Sequence, residues 1–111
     1  MTELSKLTIS EARDRLRAGD VTSVDLTNAC LSEIEDADAL NAFVHKTPEI
    51  ALEQAARADE RLQGREEAPA MCGIPLDIKD LFCTKGVDSQ AGSRILEGFK
   101  PEYESTVTQP V

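Results

Sequence analysis

Apolar residues recur at helical spacing in three stretches of the first 64 positions. Between Thr8 and Ala18, Ile9, Ala12 and Leu16 form one stripe. Thr8 and Glu11 have capping-box spacing ahead of that stripe, and Gly19 stops it. A second helix is predicted to start near Thr22 or Ser23 and to end near Asp36. Val24, Leu26, Ala29, Cys30, Leu31 and Ile34 supply its apolar positions, and Asp25 is favourable in its first turn. Thr47-Pro48-Glu49 opens a third helix, with Thr47 as the N-cap and Pro48 at the first helical position. Ile50, Leu52, Ala55, Ala56 and Leu62 fill its buried side, and Gly64 ends it. Between the second and third helices, Asn41 to Lys46 carries Phe43 and Val44 and reads as a short strand.

The pattern changes after a polar loop from Gln63 to Ala70. Cys72 to Lys79 is almost continuously apolar, which predicts a strand buried on both faces, as in a parallel or mixed sheet. Thr84-Lys85-Gly86 reads as a turn, Val87 to Gly92 as an exposed segment, and Ser93 to Leu96 as a short helical or extended piece. Ser105-Thr106-Val107 reads as the possible beginning of a further helix. Two helices, a strand, a helix and a strand do not close a core around themselves. The expected fold class is therefore α/β: the N-terminal portion of a mixed sheet flanked by helices, incomplete here. The expected domain organisation is one truncated domain, mainly helical over 1–64, with 72–111 beginning its catalytic core.

Composition narrows the function. The 111 residues carry 21 acidic and 12 basic side chains, for a net charge of −9. That balance argues against direct binding of nucleic acid or an anionic membrane by this segment. No apolar run approaches the roughly 20 residues that span a bilayer, and MTELSKLT lacks the apolar stretch of a secretory signal. Cys30, Cys72 and Cys83 form no C-x-x-C pair, and His45 is the one histidine, so a metal site is not expected. A sparse, odd set of cysteines fits a reducing cytoplasm, with structural or incidental roles for all three. His45 reads as structural or exposed, and the acidic run Glu33, Glu35, Asp36, Asp38 as a solvated helix end.

The chemistry concentrates on Lys79, at the end of the apolar run Ile74 to Ile78. A lysine desolvated there would favour its neutral form, and a neutral lysine is a competent general base. The bland alternative is a solvated lysine, or one paired with the flanking Asp77 or Asp80. The pattern G-I-P-x-x-I-K-D over 73–80, then C-T-K-G over 83–86 and G-S-R-I-L-E over 92–97, resembles the amidase signature family. The opening L-T-I-S-E-A, T-S-V-D-L-T and N-A-F-V extend the resemblance over nearly the whole chain. They direct it to the glutamine-hydrolysing subunits of tRNA-dependent amidotransferases.

That resemblance implies an enzyme in which Lys79 is the catalytic lysine, acting through a serine on a cis peptide while a second serine attacks the amide carbon. It implies release of ammonia from glutamine, conversion of Glu-tRNA(Gln) or Asp-tRNA(Asn), and amidotransferase subunits B and C as partners. No cofactor is expected on this chain; ATP and Mg²⁺ belong to the partner B subunit. The family's Gly/Ser-rich signature does not occur in these 111 residues, and Ser89, Ser93 and Ser105 are not assigned the serine roles. Without that signature, the chain alone is expected to be inactive. Gly92-Ser93 reads either as lining for the site entrance or as a turn glycine followed by a cap. Asp77 stands where the family usually has a small residue. On a strand it would lie on the same face as Lys79 and favour the ammonium. Two alternatives stay open: part of a stand-alone amidase acting on a free amide, and a truncated product with no enzymatic role.

Overall fold

Reciprocal caps set the first two helices. In the computed structural model, which describes residues 4–64, 68–106 and 108, Thr8 Oγ1 accepts the Glu11 N–H at 3.2 Å. The Glu11 carboxylate in turn accepts the Thr8 N–H at 3.0 Å. Helix α1 follows over Ile9–Ala18 and ends at Gly19, whose φ of 79° is left-handed. Thr22 and Asp25 repeat the exchange, at 3.1 Å in each direction, at the start of α2, Ser23–Asp36. Helix α3 spans Pro48–Gln63, with Pro48 in its first turn and Gly64 after its end. Thr47 holds the N-cap position, but its side chain makes no capping bond.

The chain divides into two units, Met1–Pro75 and Leu76–Val111. In the first, Ala12, Leu16 and Leu26 are buried, and Leu4, Leu7, Val21, Leu62 and Ile74 pack against them. Leu26 is 2% exposed, and burying such a side chain contributes about 1.5–3 kcal/mol. A polar clamp joins α2 to α3. Asp59, on α3, accepts the N–H groups of Ser23 (2.6 Å) and Val24 (3.2 Å) at the start of α2. These are among the N–H groups that a helix cannot satisfy itself, and a carboxylate suits the positive end of the helix dipole. Ser23 Oγ then donates to the Gly73 carbonyl at 2.8 Å. Gly73 has φ +85°, and a Cβ there would meet Leu16 Cδ1 at 3.2 Å and Leu62 Cδ1 at 3.3 Å. Only glycine suits that corner without strain.

Both predicted strands differ from what is found: among the described residues there is no strand, so the mixed sheet is not seen. Asp38–Leu40 is a 3₁₀ turn, Asn41 is left-handed at φ 50°, and 42–46 is irregular. Over 72–79, the Ile74 N–H closes a turn onto the Met71 carbonyl, and left-handed Gly73 interrupts any extension. Residues 74–79 carry no ladder, and Leu76 (43%) and Ile78 (37%) are exposed rather than buried on both faces. An extended run becomes a strand only when a neighbour pairs with its N–H and C=O groups.

The second unit is a set of turns tied together by backbone bonds. The Gly86 and Ser89 N–H groups donate to the carbonyls of Pro101 and Phe99, and the Ser105 N–H to that of Cys83. Residues 83–89 and 99–105 thus run antiparallel without becoming a regular ladder. The turn predicted at Thr84–Gly86 forms, closed by the Val87 N–H on the Thr84 carbonyl at 3.1 Å. The segment 87–92 is less exposed than its composition predicts. Ser89 is 7% exposed and Val87, Asp88 and Gln90 are half-buried. Arg94–Leu96 is a 3₁₀ turn. The predicted helix start at Ser105–Val107 falls partly outside the described residues.

Candidate active site around Lys79

Lys79 lies in the second unit at the first position of a turn, its carbonyl accepting the Phe82 N–H at 3.0 Å. The side chain is exposed, not desolvated. No described residue pairs with it, so neither Asp77 nor Asp80 holds its ammonium. Residue 77 is not in a strand, which removes the shared face that would have set Asp77 against Lys79.

Asp80 does something the sequence does not announce. Its Oδ1 accepts the Gln90 N–H at 3.1 Å, and its own carbonyl accepts the Ala91 N–H at 3.0 Å. One residue therefore fixes the corner 90–91 at two points. That corner is unusual backbone: Ala91 is left-handed at φ 50° and Gly92 follows at φ 72°. The Ser93 N–H closes the turn onto the Gln90 carbonyl, and Ser93 Oγ accepts the Ile95 N–H at 3.2 Å. Ser93 is thus a cap. Lys79, Asp80 and the corner at Gln90–Ser93 form one connected piece.

Elsewhere in this unit, the Lys85 N–H donates to Glu104 Oε2 at 2.8 Å. The Cys83 thiol donates to Tyr103 Oη at 3.6 Å, a contact that pushes the phenol up from its ordinary range. In the first unit, burial and then the nearby Glu33 carboxylate push the Cys30 thiol up. His45 is half-buried, and its Nε2 has no hydrogen-bond partner. Two cavities, about 30 and 350 Å³, are lined by residues of the first unit alone. Among the described residues no acidic, cysteine or histidine cluster is placed to hold a metal ion. Nor is any helix among them long and apolar enough to cross a membrane.

A sequence profile of the Amidase family matches residues 25–111. The chain belongs to the amidase family. Among curated relatives, it is 74% identical over 109 residues to the A subunit of glutamyl-tRNA(Gln) amidotransferase from Ruegeria pomeroyi; the match covers 98% of this chain and 22% of the relative. It is 68% identical over 108 residues to the protein of the same name from a Jannaschia species, covering 97% and 22%. The counterpart from Cereibacter sphaeroides is 64% identical over 104 residues, covering 94% and 21%. The chain thus spans about a fifth of the length of these relatives. Their names describe one component of an amidotransferase. No solved structure matches. The amidase-family profile takes in the whole of the second unit, so Lys79, Asp80 and the 90–93 corner all lie within the matched region.

Proposed function

We propose that this chain supplies the general-base lysine, Lys79, of a glutamine-hydrolysing amidotransferase subunit. The observation that carries the reading is the 74% identity, over nearly the whole chain, to the A subunit of a glutamyl-tRNA(Gln) amidotransferase. In this reading an amine at Lys79 takes the proton of a serine hydroxyl relay while a second serine attacks the glutamine amide carbon. The C–N bond breaks as the departing nitrogen takes up that proton, so ammonia leaves and a glutamyl ester forms; water then hydrolyses the ester, releasing glutamate and restoring the serine. The serines lie outside these 111 residues, which carry no Gly/Ser-rich signature, so the isolated chain is inactive.

Lys79 is exposed here, and a dry setting for it has to come from further parts of an α/β fold. In that fold, residues 72–79 join a mixed sheet. Residues 1–64 form its helical part and 72–111 begin the catalytic core. The ammonia passes to a B subunit that binds ATP and Mg²⁺ and amidates Glu-tRNA(Gln) or Asp-tRNA(Asn), with a C subunit joining the two. The acidic balance of this chain leaves tRNA contact to its partners. The complex works in the cytoplasm.

The Amidase profile match over 25–111 is shared by a second reading, a stand-alone amidase acting on a free amide. A chimera separates the two. The matched residues of this chain replace their counterparts in the Ruegeria pomeroyi relative, together with the partner subunits of that protein, and ammonia release is measured from glutamine and from acetamide, propionamide and benzamide. Hydrolysis confined to glutamine supports the amidotransferase reading. Preference for the simple amides supports the stand-alone amidase. No hydrolysis of either overturns both.

A further inference from the structure

We infer that Asp80 is a positioning residue for Lys79, acting by pinning the turn that presents the lysine to the 90–92 corner. The inference rests on the role proposed above for Lys79 and extends it to a neighbour whose carboxylate accepts the Gln90 N–H. The geometry is specific. The Asp80 side chain and carbonyl hold two consecutive N–H groups, those of Gln90 and Ala91, at 3.1 and 3.0 Å. Lys79 precedes Asp80 directly, and its own carbonyl is held by the Phe82 N–H. The backbone on which the lysine stands is therefore fixed both within its turn and across a ten-residue loop. The far end of the link is the left-handed pair Ala91–Gly92. A non-glycine residue persists there only when its surroundings hold it, and Asp80 supplies part of that hold.

A carboxylate accepting a backbone N–H makes one of the stronger hydrogen bonds available to a loop. Its loss lets residues 79–80 drift, and a displacement of about 1 Å at a reacting group costs on the order of 10²-fold in rate. The bond requires an acceptor at Oδ1, not a charge, and an asparagine side-chain oxygen keeps that acceptor.

The test uses the chimera, with kcat and KM for glutamine measured for the parent, Asp80→Ala, Asp80→Asn and Glu104→Ala. Glu104→Ala removes a comparable side-chain-to-backbone bond, to the Lys85 N–H, from the same unit without adjoining Lys79. Thermal melting accompanies each variant. Asp80→Ala is expected to lower kcat by about 10–10²-fold with KM within about twofold. Asp80→Asn should recover most of that rate, and Glu104→Ala should hold kcat within about threefold.

Four outcomes overturn the role: equal kcat losses in Asp80→Ala and Glu104→Ala, a loss confined to KM, no recovery in Asp80→Asn despite a parental melting temperature, or a kcat loss that tracks the fall in melting temperature across the set. In each of these the parent chimera is active and the assignment of Lys79 stands. A parent chimera that hydrolyses nothing instead overturns the functional reading, and the role of Asp80 with it.

Discussion

Asp59→Ala tests the clamp between α2 and α3. The carboxylate accepts two N–H groups at the start of α2, and Ser23, which owns the shorter bond, is 2% exposed. Removing the acceptor leaves the Ser23 N–H buried and unpaired, at a cost of about 1–3 kcal/mol. Val24 is half-buried, and water can recover part of its bond. Losing a negative charge at the helix N-terminus adds about 0.3–1 kcal/mol. Together the substitution should cost about 2–4 kcal/mol, a large share of the 5–15 kcal/mol ordinary for small domains. Among the described residues the three α-helices lie in the first unit, so the far-ultraviolet circular dichroism signal reports on it. Urea titration should move the midpoint down by about 1–4 M for an m-value of about 1–2 kcal/mol/M. Asp59→Asn keeps one acceptor oxygen and should lose about half as much. A midpoint for Asp59→Ala within about 0.3 M of the parent would refute the argument that this carboxylate secures the first turn of α2.

Two further predictions concern the first unit. Gly73→Ala forces an L-residue into φ +85° and sets a Cβ 3.2 Å from Leu16 Cδ1; the leucine ends can yield, so the loss should be about 1–3 kcal/mol, and an unchanged melting temperature would contradict it. The Lys46 ammonium, hydrogen-bonded to Asp38 at 2.5 Å, holds that carboxyl below the usual carboxylate range. A depressed folded-state pKa stabilises the fold above the unfolded value of about 3.9, and the contribution disappears as pH falls through the lower folded value. Titration of the Asp38 carboxyl by nuclear magnetic resonance should show the lowered midpoint, and Lys46→Met should return it to the ordinary range. A midpoint that ignores the substitution would contradict the pairing.

The helices were legible because their determinants are local. Thr8 with Glu11, Thr22 ahead of Asp25, Pro48 and the glycines at 19 and 64 lie within a turn of the ends they define. Asp59 was not legible as a cap, since it lies 36 residues from the N–H it accepts. Thr47 misled because residue type alone does not set backbone angles, and ψ 59° leaves its hydroxyl without the capping bond. The run at 72–79 misled for another reason. Its apolar character is a demand for covering surfaces and paired edges; Ile74 finds cover against the core of the first unit, but among the described residues Leu76 and Ile78 stay exposed and no edge is paired. Lys79 was found through a motif, G-I-P-x-x-I-K-D, in which the lysine is visible and its support is not. The bonds from Asp80 to residues 90 and 91 span a loop whose fold no short pattern encodes.

The central claim is that Lys79 is the general base of an amide-hydrolysing site. Its most direct test is single-turnover hydrolysis of glutamine by the chimera with Lys79→Ala against the parent, alongside melting curves for both. The account predicts a rate lower by about 10²–10⁴-fold at an unchanged melting temperature, because the exposed side chain contributes little to packing. A variant that keeps more than about a tenth of the parental rate would make Lys79 a surface lysine and contradict the account.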